Sequence, residues 1–149
     1  MKQRLPILLL LAACDDTTSN TPPPSIPATH DLVFEGYDIT TPQLWTRNGD
    51  TGEVNRLLPP DSVVMDPEPS PDGTRIAFVV ADYIQGIGDI FVMDHDGSNV
   101  KQLAFDLEMD DQPSWPPDGT RIVFRSWQGG YLGDIWVMDG DGGNQMRLT

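Results

Sequence analysis

The stretch SPDGTRIAF, Ser70 to Phe78, returns 46 positions later as PPDGTRIVF, Pro116 to Phe124. Each copy opens with a turn. Proline presets φ at the second turn position, aspartate can bond its own backbone, and glycine accepts a positive φ. A β-rich run follows, and in the third unit it spans Arg121 to Ser126. Ile76, Phe78 and Val80 fall on one face of such a strand, yet Ala77 and Val79 on the other face are also apolar. A strand covered on both sides by neighbouring sheets has this composition.

Working outward, GDIFVMDHDGSN (Gly88–Asn99) recurs as GDIWVMDGDGGN (Gly133–Asn144), with nine of twelve positions identical at an offset of 45. A diverged copy lies upstream. Leu32-Val33-Phe34 matches Ile76-Ala77-Phe78, and Leu44-Trp45 matches Ile90-Phe91, at offsets of 44 and 46. In the third unit the pattern predicts a short first strand at Pro113-Ser114-Trp115. A second strand follows over Arg121–Ser126, a third over Asp134–Asp139, and a fourth begins at Met146. A β-type repeat near 45 residues predicts an all-β fold of propeller blades, each four-stranded and antiparallel. About three units are present, over 31–65, 66–110 and 111–149.

The pattern P-x-W-S-P-D-G-x-x-I-A-F, then D-I-W-V-M-D-x-D-G, then R-L-T, resembles the WD40-like repeat of TolB-type β-propellers. It covers Pro67 to Thr149, with Pro69 in the tryptophan position and Pro116 in the serine position as departures. Closed propellers need roughly four to eight blades. The first unit opens at its second strand and the last halts at its fourth, so the expectation is an incomplete propeller. Either the chain is cut from a longer protein with further blades, or a short protomer completes its ring by self-association.

The opening MKQRLPILLLLAAC has a positive start (Lys2, Arg4) and a short apolar run, the layout of a secretory signal. Leu11-Ala12-Ala13-Cys14 resembles the bacterial lipobox, which implies cleavage after residue 13 and lipidation of Cys14, the sole cysteine. Several acyl chains on one residue give durable attachment. Residues 14–30 then form a tether rich in Pro, Thr and Ser, with nothing to bury. The expected location is outside the cytoplasm, anchored to a bacterial membrane at its periplasmic face or at the cell surface. Without Lys2 and Arg4, seven basic residues face 23 acidic ones, a net charge of −16. Such a surface repels phosphate backbones, which excludes nucleic acid as a partner class.

Asp94, Asp96 and Asn99, and again Asp139, Asp141 and Asn144, resemble the opening of a calcium loop. An EF loop continues to a glutamate at position twelve, where Asp94 leads instead to Phe105. The spacing is therefore read as hairpin turns capped by their own side chains, with no metal expected. His30 and His95 have no neighbours at ligand spacing, and no G-x-S-x-G elbow appears. No catalytic residues, enzyme activity or cofactor are expected. The loops ADYIQGIG (Ala81–Gly88) and SWQGGYLG (Ser126–Gly133) differ while the scaffold repeats. Recognition commonly sits on loops over a rigid scaffold. Tyr83, Trp127 and Tyr131 supply aromatic surface there, either for a partner or for covering blade edges.

The functional expectation is a non-catalytic envelope lipoprotein whose blades form a protein-interaction scaffold for envelope proteins. The alternatives are a glycan-binding propeller and the propeller part of a longer, peptidase-fused protein.

Overall fold

The computed structural model describes residues 32–38, 41–59, 62–82, 84–104, 108–128 and 132–149. These residues form eleven strands and no helix. The signal segment, Cys14, the tether and His30 lie outside the described residues.

Three antiparallel sheets follow one another along the chain. The first contains β1 (Leu32–Asp38), β2 (Thr41–Arg47) and β3 (Val54–Arg56). The second runs β4 (Val64–Pro69), β5 (Arg75–Asp82), β6 (Ile87–Asp94) and β7 (Lys101–Gln102). The third runs β8 (Asp110–Ser114), β9 (Arg121–Ser126), β10 (Asp134–Asp139) and β11 (Met146–Arg147). The fold is thus all-β with up-and-down blades, and no strand of the first sheet approaches one of the third, so the ring is open. The second and third strands of the last unit fall where the sequence places them. Its first strand differs: β8 begins at Asp110 and ends at Ser114, leaving Trp115 just past its end.

The proline-aspartate-glycine turns form as their chemistry dictates. Gly73 N–H donates to Ser70 O at 2.8 Å, and Gly119 N–H to Pro116 O at 2.9 Å. Both glycines have positive φ. Asp72 Oδ1 accepts from the Ser70 hydroxyl (2.6 Å) and from Thr74 N–H (3.0 Å). Those bonds, the Ser70 hydroxyl foremost, hold the Asp72 carboxyl down to about 2. In the third sheet Pro116 removes that hydroxyl, and Asp118 accepts only from Thr120, whose N–H and hydroxyl lie at 3.0 and 2.9 Å.

The two faces of β5 enter different cores. Ile76 and Phe78 join Leu44, Val64 and Met93 between the first and second sheets. Ala77, Val79 and Ala81 join Ile90, Val92, Trp115, Ile122, Phe124 and Met138 between the second and third. Burial of one such aliphatic or aromatic side chain stabilises by roughly 1.5–3 kcal/mol. The two inner strands β4 and β8 each break register in a bulge, between Met65 and Glu68 and between Asp111 and Ser114. Within those bulges Asp66 and Gln112 take left-handed backbone, φ 52° and 53°. The bulged amides point back to the preceding sheet: Asp66 N–H donates to Glu35 Oε2 at 3.4 Å, and Gln112 N–H to Asp66 Oδ2 at 3.2 Å.

Candidate functional site

Two loops carry the recognition residues expected from the sequence, and they differ more than their scaffold does. The β5–β6 ladder extends to the pair Asp82↔Ile87, so only 83–86 lie outside strands, a shorter loop than Ala81–Gly88. Asp82 closes it by accepting from Ile84 N–H (2.9 Å) and Gln85 N–H (3.2 Å). Its carboxyl is lowered by these bonds and most by the Gln85 side chain. The β9–β10 loop is longer, over 127–133, since β9 ends at Ser126 and β10 begins at Asp134. Tyr83 and Tyr131 lie outside the described residues. Trp127 is described and is half-buried. Its backbone N–H donates to Met109 O at 3.0 Å. The Arg125 guanidinium lies 5.0 Å from the Trp127 ring centre. Arg125 in turn grips Asp111 with two bonds of 2.7 and 2.6 Å. One ring face is therefore taken by an arginine that is itself held by a largely buried carboxylate.

The acidic turns are internally satisfied. Asp94 Oδ2 accepts from Asn99 Nδ2, and Asp139 Oδ2 from Asn144 Nδ2, each at 2.6 Å. Asp96 Oδ1 accepts from Ser98 N–H (2.9 Å) and Asp141 Oδ1 from Gly143 N–H (3.0 Å). Among the described residues no group of three His, Cys, Asp or Glu side chains stands where it could hold a metal ion. His95 is exposed.

The site that sequence reasoning missed lies at the opposite end of the strands. Between the second and third sheets, Trp115 is 7 % exposed and fills the crevice beside Ala77, Val92 and Ile122. Its Nε1–H donates to Glu68 O at 3.1 Å. The Arg75 guanidinium sits 4.6 Å from the ring centre and donates to Gly140 O (2.9 Å) and Gly119 O (3.4 Å). Gly140 leaves room for the ring, since a Cβ there would meet Trp115 Cζ3 at a tight 3.0 Å. Between the first and second sheets the equivalent crevice has Pro69 in the tryptophan position, and Pro69 is exposed. A cleft of about 560 Å³ opens there. Four of its lining residues stand at repeat positions of the filled crevice: Val33 for Ala77, Thr46 for Val92, Ile76 for Ile122 and His95 for Gly140; Asp72 and Arg75 line it as well. The available signal was Pro69 as a departure from the repeat; its consequence depends on the neighbouring sheet.

The family described as TolB beta propeller domain matches residues 18–149. A structure assigned to TolB from Agrobacterium tumefaciens is 25 % identical, with a TM-score of 0.70 over 80 % of this chain and 45 % of that one. TolB from Acinetobacter baumannii is 24 % identical, with a TM-score of 0.65 over 80 % of this chain and 29 % of the other. An oligogalacturonate lyase in complex with manganese shares the fold, with a TM-score of 0.59 at 24 % identity over 74 % of this chain and 31 % of the lyase. The chain thus spans less than half the length of these solved structures. No curated protein matches it. Repeat, blade topology and family match agree: the chain belongs to the TolB beta propeller family.

Proposed function

We propose that this chain is a lipid-anchored envelope protein whose blades act as a non-catalytic scaffold for binding other envelope proteins. The observation that carries the reading is the contrast between a repeated framework and unlike loops at one end of it. The second and third strands of the second and third sheets superpose in sequence, whereas their connections run over 83–86 and 127–133. Rigid scaffolds with variable loops are built for recognition. Ile84 and Leu132 stand 98 % and 91 % exposed on those loops, apolar tips of the kind that mark contact surfaces. Three of the described tryptophans are less available for a sugar. Trp45, Trp115 and Trp127 each have an arginine over the ring, which favours the protein scaffold over the glycan reading. Propellers of this fold also occur in larger enzymes, the tricorn protease among them, on fold likeness alone.

The test places a photo-cross-linking residue at Ile84 or Leu132 in the native cell, with Thr120 at the opposite end as control. Adducts with a defined envelope protein at the loop positions are expected; equal yields at Thr120 would refute the scaffold. Anchoring is checked separately by incorporation of labelled fatty acid, which Cys14→Ser must abolish.

Self-association is a second reading, favoured by one recurring bond. Leu57, Leu103 and Leu148 donate their N–H to Leu44, Ile90 and Ile135 O at 3.0, 2.8 and 2.7 Å. Leu57 packs on the first core and Leu103, 2 % exposed, lies in the second, but Leu148 is 52 % exposed. Ile135 is likewise 39 % exposed where Ile90 is fully buried. A second copy seated there would cover an open apolar face. Sedimentation of the 149-residue chain should then give twice 16.5 kDa; a single chain mass at every concentration would refute it.

A further inference from the structure

Two crevices of this molecule are built from the same repeat positions, and one lacks the side chain that fills the other. We infer that the cleft between the first and second sheets is a seat for a planar aromatic side chain, an indole by chemistry, presented by a partner polypeptide.

The filled crevice shows what this framework takes. Trp115 lies there with an aliphatic wall at Ala77, Val92 and Ile122 and a guanidinium over its ring. The open cleft keeps the apolar wall in Val33 and Ile76 and exchanges Val92 for Thr46, which supplies a hydroxyl. Its tryptophan position is Pro69, whose short ring leaves the space empty. An open volume of about 560 Å³ accommodates an indole together with part of the backbone that carries it.

The rim adds a charge preference. Asp72 borders the cleft, and hydrogen bonds from Ser70 and Thr74 keep its carboxyl ionised. In the filled crevice the cation over the ring comes from Arg75 of the preceding sheet. Arg75 also lines the open cleft, but its guanidinium is held over Trp115 and on two carbonyls of the third sheet, so Asp72 sets the charge of the rim and a tryptophan flanked by arginine or lysine matches it better than one flanked by acids. The chain's net charge of −14 acts in the same direction at longer range. His95 replaces Gly140, where a Cβ already crowds the bound ring, so the incoming ring seats slightly further out and against the imidazole. The inference rests on the scaffold reading only for the carrier of the ring; the seat itself needs no identified partner.

The probe is N-acetyl-tryptophanamide titrated into the full chain, followed by the methyl resonances of Val33 and Ile76. Saturable shifts confined to those methyls and their neighbours are expected, with N-acetyl-alaninamide producing none. Pro69→Trp should weaken the response at least tenfold, because its own indole takes the seat, while Pro69→Ala should retain it. Thr46→Arg, which narrows the cleft from the other wall, must weaken it too and serves if Pro69→Trp does not fold. An arginine-tryptophan dipeptide amide should bind more tightly than the glutamate-tryptophan one. Shifts scattered over the surface, or unchanged in Pro69→Trp and Thr46→Arg, would overturn the seat; equal binding of the two dipeptides would overturn its charge preference. Shifts intact with no loop cross-links would sink the scaffold and leave the seat standing, and the reverse would sink the seat alone.

Discussion

The crevice between the second and third sheets and the one between the first and second are walled from corresponding repeat positions and have opposite contents. In the first, Trp115, Arg75 and Gly140 form one assembly: the indole fills, the guanidinium covers, and the glycine makes room. In the second, Pro69 and His95 stand where the indole and the glycine would be, and a cleft remains. A repeat therefore conserves a place, and the residue put there decides whether the place is core or site. The same lesson holds for Arg75 and Arg121, which occupy one repeat position. Arg75 is bound to the next sheet through two carbonyls, whereas Arg121 is exposed.

Emptying the filled crevice should have the largest effect. Trp115→Ala removes a buried indole and strands the Arg75 guanidinium, so a loss of about 3–5 kcal/mol is expected in urea unfolding. Trp127→Ala, on a half-buried ring, should cost about 1 kcal/mol. Equal losses would erase the distinction between core and loop tryptophans. Next, Arg75→Ala should destabilise by about 1–3 kcal/mol, through the lost ring contact and two carbonyls left without their donor. Arg121→Ala should stay within about 0.5 kcal/mol. Filling the open crevice should be smaller and of opposite sign. Pro69→Trp combined with His95→Gly is expected to gain about 0.5–2 kcal/mol. Pro69→Trp alone should gain less, since a Cβ at position 95 crowds the ring. A single variant as stable as the double would show that the new indole does not sit as Trp115 does.

The smallest effect is in acid. The Asp72 carboxyl is held at about 2 in the folded chain, below its ordinary value of 3.8. A depressed folded value means that its contribution is complete above the unfolded pKa and disappears as pH falls towards 2. Asp72→Asn should therefore flatten the decline of melting temperature between roughly pH 4 and pH 2. Asp118→Asn should do so less, because Asp118, though lowered, lacks the serine hydroxyl. An unchanged acid slope in both variants would remove the turns from the acid response.

Much of this architecture was legible. Arg121–Ser126 and Asp134–Asp139 could be read as strands because a period of about 45 residues fixes phase, and both copies carry the same turn chemistry at each end. That β1, the first described strand, stands at the second-strand position of its unit was legible for the same reason. Other features had no local signal. Asp66 and Gln112 adopt left-handed backbone without being glycine or asparagine, since that geometry is imposed by a bulge facing the preceding sheet. The Asp111–Arg125–Trp127 stack joins residues from β8, β9 and the following loop, which sequence spacing alone does not bring together. The β5–β6 ladder runs further than expected because Asp82 caps its loop from inside the strand. The cleft is the clearest case. Pro69 stood out as an irregularity, but an irregularity becomes a cavity only when a neighbouring sheet supplies the other wall.

The division of β5 between two cores has a bearing on cooperativity. Each core joins one sheet only to the next, so the chain approximates a one-dimensional array in which free energy is a sum of blade terms and nearest-neighbour couplings. The middle sheet holds both couplings and its amides should exchange most slowly, while the first and third can fray independently. In such an array a unit can be gained or lost at either end without redesign of the existing interior, and length becomes the variable on which evolution acts most cheaply.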